Sequence, residues 1–372
     1  MKSIFLILMF LPIFGKCQFN NSKRTSPYKN SIAQISFDKT QAYDLTKDLP
    51  SGYVKDGSVD YTVYIQKGIE KYKNVLMPNF PVGVSGIFPV SNSRIFFQKN
   101  SKLILIPTSR SRYQIIGVHG VENVKVYNPV LVGDRFQHLG TDGQWGFGID
   151  IRLSQNVTIY NADVSNCWGD GIIISESSKG FNRSNKFTTQ NILISNSKVD
   201  GCRRNGITIT GGKSVTLNDI VINNTFGTAP EAGIDIEPDD SNSYLSDINL
   251  KNVKIFNSRS GLQFSLNYFG SKAKNQQATL NISNLNITDV VKGVYVTGFH
   301  KKPDFKQIQG LFSFENLITT NVDQPFVVER HFQSLPNIKI KNYNFNLKGR
   351  SYKNEPSALL KHVASSQGIT YN

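Results

Sequence analysis

The stretch GFGIDIRLSQNVTIYNADVSNCWGDGIII, residues 146–174, contains one repeating unit, bounded by Gly148 and Gly171. Each glycine opens a run in which apolar and variable residues alternate, and the segments NVTIY and ADVSN between them alternate in the same way. Alternation with a period of two is typical of half-buried β-strands, and Asn, Asp and Ser at the ends of a run are typical of turns. One unit therefore predicts two or three short strands and no helix.

The same unit recurs along the chain at intervals of 23 to 35 residues. Its glycines are Gly148, Gly171, Gly206, Gly233, Gly261 and Gly293. One unit cannot bury its apolar face alone, whereas stacked units form a continuous core with parallel strands about 4.8 Å apart. We therefore predict an all-β fold, a right-handed parallel β-helix. A β-sandwich would need tight two-residue turns and even strand spacing, which the sequence lacks.

The chain ends suggest export and a single domain. Residues 1–17 combine an early lysine, an apolar run and small residues near Cys17, which is the pattern of a secretory signal peptide. No later stretch is apolar enough to span a bilayer, so we expect a secreted or periplasmic protein, acting as a monomer. We predict one β-helix domain over residues 18–350 and a C-terminal capping segment over 351–372.

Two helices are predicted to cap the open ends of the solenoid. Asp60 is placed to cap a helix from Tyr61 to about Tyr72, and Pro356 fits the first turn of a helix from Glu355 to about Gln367. This arrangement resembles the pectin-lyase-like β-helix superfamily, in which a capping helix precedes the coils. The resemblance implies the fold only, because that fold hosts lyases, hydrolases, epimerases and adhesins.

Aligning the coils on their glycines places residues from different coils in shared columns. The column two places after each glycine should point outward and reads Asp150, Ile173, Thr208, Asp235, Gln263 and Tyr295. The column three places before begins Trp145, Trp168 and Arg203, followed in the chain by Arg204. Sugar rings stack on indole faces beside charged groups, so the two tryptophans predict either a glycan groove or a core ladder.

Carboxylates gather on one predicted strand, GIDIEPDD at 233–240. Asp235 and Glu237 share a face about 6.6 Å apart, near the lower limit for the carboxyl pair of an inverting glycosidase. Their repulsion would raise one pKa, as a general acid requires. Two alternatives stay open: an acidic surface paired with Arg203, Arg204 or Arg259, and a Ca²⁺ site that also uses Asp239 and Asp240.

Residues 146–174 resemble the core of polygalacturonase-type glycoside hydrolases, whose pattern runs Asn-Thr-Asp, strand, turn and Gly-Asp-Asp. Asp170 matches the first Asp of that pair, which the resemblance implies is catalytic. The other positions depart from the pattern: Gly171 replaces the second Asp, Phe147 the upstream Asp, and Asn205 the family's His. The family's Arg-Ile-Lys falls on residues 235–237, where the charge is reversed, so the resemblance argues against galacturonan as the substrate.

Other residues carry weaker signals. His138 lies in a loop leading to Trp145 and is either a substrate donor or a surface histidine. Cys167 and Cys202 fall in one column, which permits a disulfide, although two stacked thiols would fit the core equally well. HExxH, CxxC and nucleotide-binding fingerprints are missing from the sequence, so we expect no zinc or nucleotide cofactor.

These patterns predict an exported enzyme that cleaves a polysaccharide, with a glycoside hydrolase favoured. The acid/base candidates are Asp235, Glu237, Asp170 and Asp150; the substrate-binding candidates are Trp145, Trp168, Arg203, Arg204, His138 and Asn205. One alternative is a polysaccharide lyase in which Arg203, Arg204 or Lys213 neutralises a uronate. Another is a noncatalytic glycan-binding protein. The formal net charge of +15 favours acidic partners, among which export makes nucleic acid the poorest fit.

Overall fold

The computed structural model describes residues 22–28, 41–177, 187–239, 243–266, 268–269, 277–297, 308–328, 336–347, 350–353 and 369–371. These residues form an all-β solenoid of about eight turns with one short α-helix. These observations confirm the predicted all-β solenoid with a helix near its N-terminus. Within the described ranges, no helix has the length and apolar character needed to cross a membrane.

Three parallel sheets run along the solenoid. The first contains Tyr43–Asp44, Asn74–Leu76, Arg94–Phe96, Glu122–Tyr127 and Gln155–Tyr160; the second contains Pro81–Val84, Lys102–Leu105, Val130–Val132 and Asp163–Ser165; the third contains Arg112–His119, Trp145–Arg152, Ile172–Ser175, Ile207–Ile209 and Ala232–Ile236. Longer strands bend from one sheet into the next: Gln190–Asp200, Gly212–Thr225, Leu245–Ser265, Gln277–Thr297, Gln309–Val328 and Asn337–Leu347.

The pairing register of the third sheet confirms the alignment on glycines. Ile149 pairs with Ile172, which pairs with Ile207, and the column continues through Ile234, Leu262 and Val294. All six side chains are fully buried in the core. The neighbouring column runs Asp150, Ile173, Thr208, Asp235, Gln263 and Tyr295, as the sequence predicts.

The glycine column is required by the close approach of successive coils. A Cβ on Gly206 would lie 2.5 Å from the carbonyl oxygen of Gly233, and one on Gly171 would lie 2.8 Å from that of Gly206. Each glycine thus accommodates the backbone of the next coil, so a larger residue forces neighbouring coils apart.

Asparagine dominates the corners between sheets because it tolerates the left-handed backbone conformation and hydrogen-bonds its counterpart on the next coil. Asn128, Asn161 and Asn196 have φ of 49° to 62°. The Asn161 amide donates to Asn128 Oδ1 at 2.7 Å, and the Asn196 amide donates to Asn161 Oδ1 at 3.0 Å. These side-chain ladders satisfy polar groups that the turn would otherwise leave unpaired.

The predicted N-terminal cap is present. The helix spans Thr62–Tyr72, following a 3₁₀ turn at Leu45–Asp48. Asp60 Oδ1 accepts hydrogen bonds from the backbone N–H and hydroxyl of Thr62 at 2.9 and 2.6 Å. Ile65 and Ile69 are buried, whereas Tyr64 is 39% exposed.

The last coil is extended by two short strands. Arg350–Lys353 pairs antiparallel with Asn337–Leu347, and Ile369–Tyr371 pairs parallel with it. The helix predicted from Glu355 to about Gln367 lies outside the described residues, as does the predicted signal peptide.

Candidate functional site

A pocket of about 220 Å³ opens on the outer face of the third sheet. We call it the third-sheet pocket. Its lining comprises Arg112, Trp145, Arg152, Ile173, Ser177, Arg204, Thr208, Thr210, Glu237 and Asp239. Of the predicted site residues it brings together Trp145, Arg204 and Glu237. The others lie beneath or beside it.

Asp170 and Asp235 lie beneath the pocket and are fully buried. Asp170 accepts hydrogen bonds from the Thr208 hydroxyl at 2.8 Å and the Asn205 backbone N–H at 3.1 Å. The Asn205 amide donates to Asp235 Oδ2 at 3.3 Å, and its own oxygen accepts from the N–H of Ala232. The column predicted to point outward does point away from the core, but its aspartate Asp235 is covered and has no contact with solvent. Asn205 is also buried and connects the hydrogen bonds of this network.

Arg204 joins the buried network to the pocket. Its guanidinium lies 3.0 Å from Asp170 Oδ2 and 3.1 Å from Glu237 Oε2. Burial acts to lower the pKa of Arg204, but the charges of Asp170, Asp235 and Glu237 outweigh burial and raise it. Burial raises the pKa of Asp170 despite Arg204 and the hydrogen bond from Thr208, which favour its ionised form.

Asp235 and Glu237 act as a pair. Burial, followed by the charge of Glu237, raises the pKa of Asp235 well above its ordinary value. Burial and a neighbouring negative charge both favour the protonated form of Asp235. Glu237, whose side chain is 33% exposed, is the carboxylate that faces the pocket.

Asp150 forms a second buried group with Arg152 and His119. Arg152 Nε lies 2.7 Å from Asp150 Oδ1, and His119 Nε2 lies 3.2 Å from Oδ2. Burial acts to raise the pKa of Asp150, but Arg152 and His119 together hold it below its ordinary value. Asp150 is thus an ionised anchor for Arg152, which reaches the pocket wall.

The two tryptophans of the shared column have different surroundings. Trp145 is 37% exposed, lines the pocket and carries the Arg112 guanidinium 4.8 Å from its ring centre. Trp168 packs against the core between the His138 ring, at 4.1 Å, and the Arg203 guanidinium, at 3.6 Å. The sequence predicted either a groove or a core position for both tryptophans. In the structure Trp145 lines the pocket, whereas Trp168 packs against the core.

His138 and Arg203 do not line the third-sheet pocket. The His138 side chain is fully buried, with Nδ1 2.9 Å from Asp134 Oδ2 and 3.1 Å from the Tyr113 hydroxyl. Arg203 Nε donates to the carbonyl oxygen of Trp168 at 2.7 Å. Both residues hold the loop that leads to Trp145, since Arg203 also donates to the carbonyl oxygen of Gly143. His138 is therefore not the surface histidine offered as one alternative.

Sequence reasoning missed Arg112 and His119. Their strand pairs with the Trp145 strand, Arg112 opposite Trp145 and His119 opposite Arg152. Ile115 occupies the position that is glycine in the following coils. The alignment of coils on their glycines therefore left out the coil that contains residues 112–119. The signal was available in RYQIIGVH (112–119), which has the length and alternation of WGFGIDIR (145–152).

Cys167 and Cys202 are free and buried. A hydrogen bond between the two thiols, together with burial, raises the pKa of Cys167 well above its ordinary value. Their contact supports the predicted register. The structure contains the stacked thiols that the sequence offered as the alternative to a disulfide.

Among the described residues, no three His, Cys, Asp or Glu side chains are grouped so that they could hold a metal ion together. Of the residues considered for Ca²⁺, Asp235, Glu237 and Asp239 are described and Asp240 lies outside the described residues.

Comparisons with known proteins agree with the fold. Residues 83–247 match the family described as right handed beta helix region. The chain is 33% identical over 162 residues to the uncharacterized protein YclG of Bacillus subtilis (strain 168), covering 41% of this chain and 28% of that protein. It is 28% identical over 174 residues to the SPbeta prophage-derived uncharacterized protein YorA of the same organism, covering 44% and 30%. The chain thus spans less than a third of these curated relatives.

A solved structure shows the same architecture. The tailspike protein gp49 from Acinetobacter baumannii bacteriophage Fri1, a capsular polysaccharide depolymerase, aligns over 83% of this chain and 60% of its own, with a TM-score of 0.54 and 13% identity. Residues 83–247 are a right-handed β-helix region, in an all-β chain whose fold is shared with polysaccharide-active enzymes.

Proposed function

We propose that this protein binds a polysaccharide in the third-sheet pocket and hydrolyses it outside the cytoplasm. The observation that carries the proposal is the pocket itself, where an exposed indole, Trp145, borders the accessible carboxyls Glu237 and Asp239. An indole face supplies a stacking surface for a sugar ring, and two carboxyls supply the acid and base of glycoside hydrolysis. The tailspike likeness supports the fold alone, so the proposal rests on these residues.

Glu237 is assigned the role of base. Its carboxylate accepts a hydrogen bond from Arg204 at 3.1 Å, and its side chain is 33% exposed. It accepts a proton from water as the water oxygen attacks the anomeric carbon. Asp239, the other carboxyl of the pocket, donates a proton to the leaving oxygen as the glycosidic bond breaks. Exchange with solvent then restores both groups.

The test is a panel of purified polysaccharides assayed for new reducing ends. We expect Glu237→Gln and Asp239→Asn each to reduce turnover by about 100-fold or more, the scale of positioned acid/base groups. Glu315→Gln is the matched control, because this exposed carboxylate lies on the first sheet, paired with Lys341. Full activity in both pocket variants would remove these carboxyls from the mechanism.

A second candidate is a glycan-binding protein without catalysis. Two of the predicted acid/base residues, Asp150 and Asp170, favour this candidate because they are fully buried and therefore do not face a ligand. They are paired with Arg152 and Arg204 instead. In that case a polysaccharide binds and no new ends appear. Products with unsaturated, ultraviolet-absorbing ends would instead indicate a lyase, a reaction for which Arg112, Arg152 and Arg204 offer the cations.

A further inference from the structure

A larger groove lies on the second sheet, away from the third-sheet pocket. The segment 22–28 runs beside the outer face of that sheet, and the space between them measures about 770 Å³. We call it the strap groove. Its lining includes Lys23, Tyr28, Asp163, Lys198, Asp200 and Asn223. Its volume falls within the range of about 300–1,000 Å³ that is usual for ligand sites.

The wall of the groove is held in place by specific contacts. The Arg24 N–H donates to Asn224 Oδ1 at 2.9 Å, and the Asn224 amide donates back to the Arg24 carbonyl at 3.1 Å. The Arg24 guanidinium lies 2.9 Å from Asp289, and the hydroxyls of Tyr28 and Thr288 lie 2.7 Å apart. The Asn257 amide also donates to the Ser22 carbonyl at 3.0 Å, so contacts with three coils hold the segment in place and the groove exists before any ligand arrives.

The floor contains an unpaired acceptor. Asn223 is 2% exposed and lines the groove, and its Oδ1 has no hydrogen-bond partner. A buried amide oxygen without a donor is costly, by about 1–3 kcal/mol. The groove therefore favours a ligand that brings hydrogen-bond donors to this oxygen.

The charges around Asn223 balance. Lys23 and Lys198 lie 3.6 and 3.4 Å from Asp200, longer than the roughly 2.7–2.9 Å of a tight charge-assisted hydrogen bond. Asp163 stands opposite Lys198 in the strand register. Two ammonium groups thus face two carboxyls, and the third cation of the lining, Arg24, is paired with Asp289. An anionic ligand therefore meets the carboxyls and a cationic ligand meets the lysines. A neutral ligand that both donates and accepts hydrogen bonds satisfies every group.

We propose that the strap groove is a second glycan-binding site that takes a neutral oligosaccharide. Sugar hydroxyls donate to Asn223 and the carboxyls, and they accept from Lys23 and Lys198. Tyr28, which forms part of the wall, offers a ring for contact with the sugar. The groove does not depend on catalysis at the third-sheet pocket, because the two lie on different sheets.

Calorimetric titration of the full chain with maltotetraose, cellotetraose, mannotetraose and xylotetraose tests the proposal. We expect at least one to bind, and Lys198→Met and Asp163→Leu each to weaken it at least tenfold. Lys125→Met is the matched control, since Lys125 is an exposed outward lysine of the first sheet. Hydrogen exchange should show ligand protection at residues 198–200 in the native chain, and thermal melts confirm that the variants fold.

Binding that survives in Trp145→Ala but is lost in Lys198→Met supports the strap groove. Three results would overturn it: none of the four tetrasaccharides binds, Lys125→Met weakens binding as much as Lys198→Met, or Trp145→Ala abolishes binding that Lys198→Met leaves intact. Reducing-end release from polysaccharide by the same variants is followed in parallel. Failure of the groove with retained hydrolysis is therefore distinguishable from failure of the proposed function.

Discussion

At the scale of single residues, this site depends on which carboxyls are charged. Asp150 lies between Arg152 and His119, which together hold its pKa below the ordinary value although burial acts to raise it. Burial and the charge of Glu237 instead raise the pKa of Asp235. Both are fully buried outward members of one column. Environment, and not position in the repeat, decides the protonation state of each.

The raised pKa of Asp235 predicts a specific pH dependence of stability. Between the ordinary aspartate pKa and the raised folded value, the native state binds a proton that the unfolded chain has lost, so stability falls as pH rises through this window. Asp235→Asn removes that proton uptake. We expect its melting temperature to decline less than that of the wild type as pH rises above about 4. Parallel slopes in melts over a pH series would show that Asp235 is ionised in the folded protein.

At the scale of elements, successive coils fit together through two features: glycines that leave room for the next backbone and asparagines that hydrogen-bond to the next coil. The glycine column allows backbones to meet, and the asparagine corners hydrogen-bond from coil to coil. Neither contact forms within an isolated unit. The stability of one coil is therefore set by its neighbours.

Gly206→Ala tests the close approach of coils. The new Cβ would lie 2.5 Å from the carbonyl oxygen of Gly233, a backbone atom that cannot rotate away. We expect a loss of about 1–3 kcal/mol in the free energy of unfolding, measured by chemical denaturation. Thr216→Ala, on the outer face of the first sheet, is the control and should change stability little. Equal stability of the two variants would contradict the steric argument.

Trp145 and Trp168 should separate binding from folding, although they share a column. Trp145→Ala is expected to weaken glycan affinity by about 1–2 kcal/mol with little change in melting temperature, because its ring borders the pocket. Trp168→Ala removes a ring packed between His138 and Arg203 and should cost about 3–5 kcal/mol of folding free energy. A binding titration beside a denaturation curve checks both. Identical profiles would place the two rings in equivalent surroundings.

At the scale of the whole molecule, positive charges outnumber negative charges. The full chain carries a formal net charge of +15, while the ion pairs beneath the third-sheet pocket are shielded from solvent. Dissolved salt screens exposed charges over roughly 8–10 Å but acts weakly on buried pairs. Self-repulsion of the surface should therefore dominate the salt response.

Raising sodium chloride from about 10 to 150 mM should raise the melting temperature, because screening relieves repulsion among surplus cations. Differential scanning fluorimetry at fixed pH measures the shift. Sodium sulfate at matched ionic strength controls for anion binding to basic patches. A falling melting temperature would mean that attractive surface pairs outweigh the net repulsion.

The architecture followed from the sequence because it depends on periodic, local information. Alternation specified strands, recurring glycines specified the coil register, and Asp60 specified the start of the capping helix near Thr62. Each of these signals acts between neighbours in the chain or between successive copies of one unit. Stacking was the one arrangement that buried all the apolar faces.

The candidate site depended on the tertiary structure. Register placed Asp150 and Asp235 in one column, but both they and Asp170 are buried, which left Glu237 and Asp239 at the pocket. Arg112 contributes to the pocket from a coil that lacks the repeated glycine. Trp145 and Trp168 share a column but have different surroundings. Exposure, side-chain direction and protonation are set by groups from several coils and loops at once. A periodic pattern therefore determines which residues share a column, and only the packed structure decides which of them a ligand can reach.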